Sequence, residues 1–230
     1  MKSLKELIGS KLAANDGLIG CVKDFYFEDQ NWSVRYVIAD TRSWVPDRNV
    51  LLSPHVFGPL KDEGEPLSVN LTMKQIQDSP PIELHKPVSR QCEKKFYASY
   101  GLPSYLVGGD LWGMGGYPVL ELLAKPAPKQ QNSETLPKAD SHLRSVQSVN
   151  GYQVVASDGN TGHISDFMLN PRNWSISQLV IKSGLWPLSN EVHIPPGKVI
   201  RISYEESTVF INMTREAFKK IHAPRQFAEK

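Results

Sequence analysis

The chain has 230 residues, enough for one large or two small domains, and its 40% hydrophobic and 22% charged residues are typical of a globular protein. Its 26 Lys and Arg residues barely outnumber its 24 Asp and Glu residues, a balance that argues against nucleic acid as a partner. No segment approaches the roughly twenty apolar residues of a membrane span, and the N-terminus lacks an apolar export signal. We therefore expect a cytoplasmic protein.

One stretch of the sequence occurs twice, at a constant offset of 142 positions and without a gap. Residues 15–54 fall on residues 157–196, so that turn glycines, aspartates and tryptophans coincide: Asp16 with Asp158, Gly20 with Gly162, Asp24 with Asp166, Trp32 with Trp174 and Trp44 with Trp186. A register held this long indicates two copies of one small fold. We call residues 4–82 repeat 1 and residues 146–224 repeat 2.

Each copy reads as a series of short strands. Asn15-Asp16-Gly17 predicts a tight hairpin turn, and the strand that follows places Phe25 and Phe27 on one face. Further strands are predicted where branched residues cluster. They are 34–39, 49–52 and 67–71 in repeat 1, with 176–181, 191–194 and 209–213 in repeat 2. The strands 49–52 and 191–194 are each followed by a proline, which cannot donate to a sheet ladder. Such spacing predicts a small closed sheet in each copy.

Each copy ends in a predicted short helix. Thr72 caps the first, with Gln75 three residues later as in a capping box, and Thr214 caps the second, with Phe218 and Ile221 on one face. Prolines then end both helices.

The sequence between the copies has two parts. Residues 83–124 form an aromatic and glycine-rich connecting segment, whereas residues 125–145 are rich in Pro, Gln, Lys and Ser and predict a flexible linker. The aromatic side chains either pack between the copies or bind a partner, because tyrosine and tryptophan are favoured at interface hot spots. The candidate partner-binding residues are Tyr97, Tyr100, Tyr105, Trp112 and Tyr117.

The ordered series of motifs, found twice, resembles the PRC-barrel family. The motifs are an Asp-Gly-x-x-Gly hairpin, Asp-Phe, the strand Val-Arg-Tyr-Val-Ile-Ala-Asp, a tryptophan and Val-Leu-Leu-Ser-Pro. The family includes the cytoplasmic domain of the photosynthetic reaction centre H subunit, the C-terminal domain of a ribosome maturation factor and many free-standing bacterial proteins. The resemblance implies an all-β protein with two small barrels in tandem (1–82 and 146–224, then a tail at 225–230) that binds macromolecules and carries no catalytic residue.

Residues that suggest chemistry are better explained structurally. Asp24 and Asp166 lack a visible titrating partner, so hydrogen bonding at a turn or strand end is the expected role. Cys21 aligns with His163, yet no closely spaced pair of metal ligands occurs. Residues 108–116 are rich in glycine but lack the Gly-Lys-Ser/Thr ending of a phosphate loop. We predict no catalytic residue, metal or cofactor.

These observations predict a non-enzymatic adaptor or assembly module that binds another protein or itself. Two alternatives remain open: an RNA- or ribosome-associated factor, and a small-ligand binder or enzyme that uses the cleft between the barrels.

Overall fold

The structure is a computed structural model that describes residues 1–42, 49–60, 64–79, 142–183 and 190–222. The described chain is mostly β, with a few short helices. The α-helices are Leu4–Leu7, Met73–Gln77, Val146–Val149 and Arg215–His222, and single 3-10 turns lie at Pro54–Val56 and Pro196–Lys198. The strands are β1 (Lys2–Ser3), β2 (Lys11–Ala14), β3 (Gly17–Glu28), β4 (Ser33–Asp40), β5 (Asn49–Leu52), β6 (Leu67–Ser68), β7 (Leu143–Ser145), β8 (Gln153–Ala156), β9 (Gly159–Asn170), β10 (Ser175–Ser183), β11 (Asn190–Ile194), β12 (Val199–Ser203) and β13 (Thr208–Ile211).

The described strands form one continuous, curled sheet in the order β12-β13-β8-β9-β10-β4-β3-β2-β6. The two halves meet where β10 and β4 pair, through the single register pair Ser175 and Ser33. Two separately closed barrels are therefore not confirmed. What the structure establishes is a predominantly β architecture with a half-barrel curl.

The pairing inside the two halves follows the predicted duplication. In repeat 1, β2 runs parallel to β6 with Leu12 opposite Leu67, and in repeat 2, β8 runs parallel to β13 with Val154 opposite Val209. The bulges recur as well, since the β3–β4 ladder is interrupted beside Asp24 and the β9–β10 ladder beside its equivalent. Each half is thus a meander whose late strand returns to its first hairpin strand.

Gly20 and Gly162 are required by close backbone contacts. Gly20 has a φ of 120°, and a Cβ atom there would lie 1.8 Å from the carbonyl oxygen of Asp40. The equivalent atom at Gly162 would lie 2.2 Å from the carbonyl oxygen of Lys182. Only glycine allows the long strand to bend this closely against its neighbour.

The buried side chains form one core that extends through both halves. Phe25, Phe27 and Phe167 are fully buried, and the rings of Phe27 and Phe167 lie 5.5 Å apart across the boundary between the repeats. Phe218 of the last helix is also buried, whereas Ile221, which we expected on the same buried face, is 47% exposed.

The segment that leads into each repeat packs on the other repeat. Strand β1 pairs with β9 of repeat 2, and β7 pairs with β3 of repeat 1. We call residues 2–7 the first leader and residues 143–149 the second leader, each consisting of a strand end and a one-turn helix. Residues 143–145 belong to the predicted flexible linker 125–145, but they form strand β7 and pair with β3. Residues 125–141 of that linker lie outside the described residues.

The helix and turn predictions met different outcomes. The capping box of Thr72 and Gln75 is confirmed, and Thr214 accepts a hydrogen bond from the backbone of Ala217. The hairpin loop, however, is Asn15-Asp16, because Ala14 pairs with Gly17. Neither loop residue has a positive φ; Asp16 instead accepts a hydrogen bond from the backbone of Met73. Among the described helices, none has the length and apolar character needed to cross a bilayer.

Candidate functional site: a groove at the junction of the repeats

Asp24 and Asp166 hold the exchanged leaders in place. Asp24 accepts hydrogen bonds from the Ser145 hydroxyl, the backbone N–H of Gln147 (3.1 Å) and that of Phe25 (2.7 Å). Asp166 is bonded in the same way by the Ser3 hydroxyl and the backbone of Lys5 and Phe167. Each carboxylate therefore lies at the beginning of the short helix in the leader of the other repeat. Both aspartates have a structural hydrogen-bonding role, but their partners lie in the opposite leader as well as in their own strand.

Burial raises the pKa of Asp24 above its ordinary 3.8, although hydrogen bonds from Ser145, Gln147 and Phe25 act in the opposite direction. The side chain is 7% exposed. Burial likewise raises the pKa values of Tyr26 and Tyr152. None of these three groups lines the groove described next.

Trp32 and Trp174 carry the main-chain contacts across the junction. Both have left-handed backbone conformations, with φ values of 57° and 56°, which are unusual for a bulky residue. The carbonyl of Trp32 accepts a hydrogen bond from Ile176 at 2.7 Å, and the carbonyl of Trp174 accepts one from Val34 at 2.9 Å. The unfavourable conformation is thus matched by a reciprocal pair of bonds that joins β4 to β10.

A groove of about 520 Å³ opens beside Trp32. One wall is the β3–β4 loop, the second is β7, and the third is the 3-10 turn before β12 together with that strand. The lining residues that matter below are Asp29, Gln30, Trp32, His142, Arg144, Gly197, Val199, Ile200 and Arg201. Elements of repeat 1, the second leader and repeat 2 therefore contribute to one site.

Asp29 organises the polar side of the groove. Its carboxylate accepts a hydrogen bond from Nε of Arg144 at 2.7 Å and lies 2.9 Å from Nδ1 of His142. The Arg144 side chain is only 18% exposed, whereas that of His142 is 46% exposed. The carboxylate thereby fixes the orientation of an imidazole and a guanidinium in the groove wall.

The junction of the repeats has two equivalent positions, one beside Trp32 and one beside Trp174. The position beside Trp174, which we call the other junction, is filled by a side chain of the protein itself. There Phe57 of repeat 1 packs on Trp174 of repeat 2 with ring centroids 5.0 Å apart, and Phe57 is 8% exposed. Repeat 2 has Val199 where repeat 1 has Phe57, and the 3-10 turn before Val199 buries none of its residues. The smaller side chain leaves the face beside Trp32 open, so the groove is a departure from the internal symmetry.

The rim of the groove is partly apolar. Ile200, which lines the groove, is 65% exposed. Arg201 lies over the ring of Phe210 at 3.9 Å and is paired with Glu206 at 3.3 Å. Such a combination of aromatic, aliphatic and arginine side chains is typical of binding surfaces.

The candidate partner-binding residues lie outside the described residues. This applies to Tyr97, Tyr100, Tyr105, Trp112 and Tyr117, and to the glycine run 108–116. Within the described ranges there is no group of three or more His, Cys, Asp or Glu side chains that could hold a metal ion.

The groove residues were not predicted from the sequence. Asp29 and Arg144 are far apart in the chain, and Arg144 lies in the segment assigned to the linker. One signal was present: the repeat alignment places Val199 opposite Phe57, a large-to-small difference between the two copies.

Comparison of the chain with protein-family models gave no match, and comparison with curated proteins gave none either.

Proposed function

We propose that the chain is a non-enzymatic, tandem PRC-barrel-like protein that acts as an adaptor, binding another protein in the groove beside Trp32. The observation that carries the proposal is the groove itself, which is built from three separate parts of the chain and has exposed Ile200 at its rim. Its volume is within the range of about 300–1,000 Å³ that is usual for binding pockets.

The resemblance to PRC-barrels supports the same proposal from the sequence. The repeated register of strands and bulges is compatible with two copies of such a barrel that have merged at the junction of β4 and β10. In this view the chain contains an internal dimer, and the groove is the place where the two copies have diverged.

The proposal is tested by co-purification with the full-length chain as bait. Val199→Phe introduces at the groove the ring that Phe57 supplies at the other junction, so we expect the bound protein to be lost. Leu18→Phe is the matched control, because Leu18 is 60% exposed and does not line the groove. A partner that binds Val199→Phe as well as the unaltered chain would overturn the proposed site, and a partner lost on Tyr105→Ala or Trp112→Ala alone would do the same.

A second candidate function is binding of a small ligand, favoured by the Asp29–His142 pair. The carboxylate of Asp29 lies 2.9 Å from Nδ1 of His142 and so orients a half-exposed imidazole in the groove wall, where a ligand could contact it. Thermal stabilisation of the full chain by a small molecule, abolished by His142→Ala, would support it. The RNA- or ribosome-associated alternative remains a prediction to be tested by co-sedimentation at low salt.

A further inference from the structure

We infer that the groove receives an aromatic side chain that a partner peptide presents next to a carboxylate. The inference rests on the proposed function, protein binding in the groove, and specifies the chemistry of the bound segment. Two independent observations support it: the way the molecule fills its other junction, and the hydrogen-bonding state of Arg144.

The first observation is that the molecule itself shows what covers this face. At the other junction the ring of Phe57 contacts Trp174, and the preceding 3-10 turn has Pro54 and Val56 buried. At the groove, Val199 is only partly buried, and the matching turn Pro196–Lys198 has no buried residue. The Trp32 ring stacks on Phe27 with centroids 5.5 Å apart, but at its groove face Val199 replaces the ring that Phe57 supplies to Trp174. A ring supplied from outside would make at this face the type of contact that Phe57 makes with Trp174.

The second observation is that Arg144 is only partly engaged. Its Nε donates to Asp29, but in the part of the chain that the structure describes neither terminal nitrogen donates a hydrogen bond. The side chain lines the groove and is largely buried at 18% exposure, so solvent can satisfy these donors only in part. A guanidinium with two free terminal nitrogens is suited to a carboxylate, because the planar fork matches its two oxygens.

A peptide fits the groove better than an isolated aromatic acid. The polar donors and the open face of Trp32 lie in one groove with exposed Ile200 and the Gln30 amide at its edge, so contacts are offered beyond a single ring. An Asp or Glu side chain adjacent to Phe places both groups on one short segment. Asp29 itself is already bonded to Arg144 and His142 and so is screened from the incoming carboxylate.

The test uses titration calorimetry of the full chain with four short peptides, blocked at both ends. The probe is acetyl-Gly-Phe-Asp-Gly-amide, and the others replace Phe by Ala, Asp by Asn, or Asp by Lys. We expect the probe to bind about tenfold more tightly than either the Ala or the Asn peptide, and the Lys peptide to bind most weakly. Equal affinity for the Asp and Lys peptides would overturn the carboxylate requirement, and equal affinity for the Phe and Ala peptides the aromatic one.

Two variants locate the interaction. Val199→Phe should abolish binding of the probe, and Arg144→Gln should remove the preference for Asp over Asn while binding of the Asn peptide persists. Gly197→Phe is a second way of obstructing the groove, because a Cβ atom at Gly197 meets nothing within 4 Å and the fold can accept it. Thermal melts establish that each variant is folded, with Leu18→Phe as the control that should bind normally.

The outcomes separate this inference from the proposed function. If no peptide binds but a cellular partner is lost on Val199→Phe, the aromatic-acid chemistry is wrong and the binding groove stands. If the probe binds all groove variants unchanged, the site is wrong. If neither peptides nor a partner protein bind, both proposals fail.

Discussion

At the scale of single residues, Asp24 is a carboxylate with a structural role whose charged form is destabilised by burial. It is nearly buried, accepts three hydrogen bonds and has a pKa raised mainly by desolvation. The folded protein therefore holds a proton on Asp24 more strongly than the unfolded chain does. As pH rises from the unfolded value of about 3.8 through the raised folded value, the stabilising contribution of that proton is lost.

We predict that Asp24→Asn changes this pH dependence. Asparagine does not titrate but keeps an oxygen for the backbone N–H groups, and the Ser145 hydroxyl can accept from its amide. The free energy of unfolding of the variant, minus that of the unaltered protein, should therefore increase between pH 3 and pH 7. Urea denaturation at several pH values measures it. Asp78→Asn, at an exposed position, provides the matched control, and a difference independent of pH would contradict the prediction.

At the scale of elements, the exchanged leaders are the feature that sequence reasoning missed. The repeat alignment predicted that Leu4 and Val146 are equivalent, and both are buried. It gave no information on which repeat each one packs against, because alternation and capping are local signals, whereas pairing between distant segments depends on the whole fold. The aspartates were recognised as structural, but their partners, Ser3 and Ser145, could be found only from coordinates.

We predict that Ser145→Ala lowers stability by about 1–3 kcal/mol. The hydroxyl caps the helix Val146–Val149 by accepting from Ser148 N–H at 3.0 Å, and it also donates to buried Asp24. Its loss leaves a backbone donor and a buried carboxylate each short of a partner. Equilibrium denaturation measures the change, and a double-mutant cycle with Asp24→Asn should show coupling.

Ser148→Ala is the control for that cycle, because its side chain is on the exposed face of the same helix turn. We expect it to change stability by less than about 0.5 kcal/mol. Equal losses for the two serine variants would mean that Ser145 contributes only helix propensity.

At the scale of the whole molecule, the chain should behave as one cooperative unit in spite of its duplication. The sheet is continuous, the core is shared, and each repeat supplies the other with a leader and a tryptophan carbonyl. The duplication and the mainly β class could be predicted from periodicity and aligned glycines. The junction could not, because Trp32 and Trp174 look like ordinary hairpin residues until their left-handed conformations are seen.

We predict that Phe25→Ala, in repeat 1, destabilises repeat 2 by the same amount. Removing this fully buried ring should cost about 3–5 kcal/mol. In a cooperative molecule, the slowest-exchanging amides of β9 open only by global unfolding, so their protection should fall in parallel with that of β3. Native-state hydrogen exchange measures both strands, and Phe167→Ala is the reciprocal variant. Unchanged protection in β9 would show that the halves unfold independently.

The exchange of leaders also has a consequence for biosynthesis. When repeat 1 has left the ribosome, Asp24 still lacks the hydrogen bond from Ser145, which lies 121 positions further along the chain. At that stage residues 2–7 also lack their partner, because strand β9 has not yet been translated. Residues 2–7 therefore complete their contacts only after β9 has been made, so a protease cut beside them would act on the distant half.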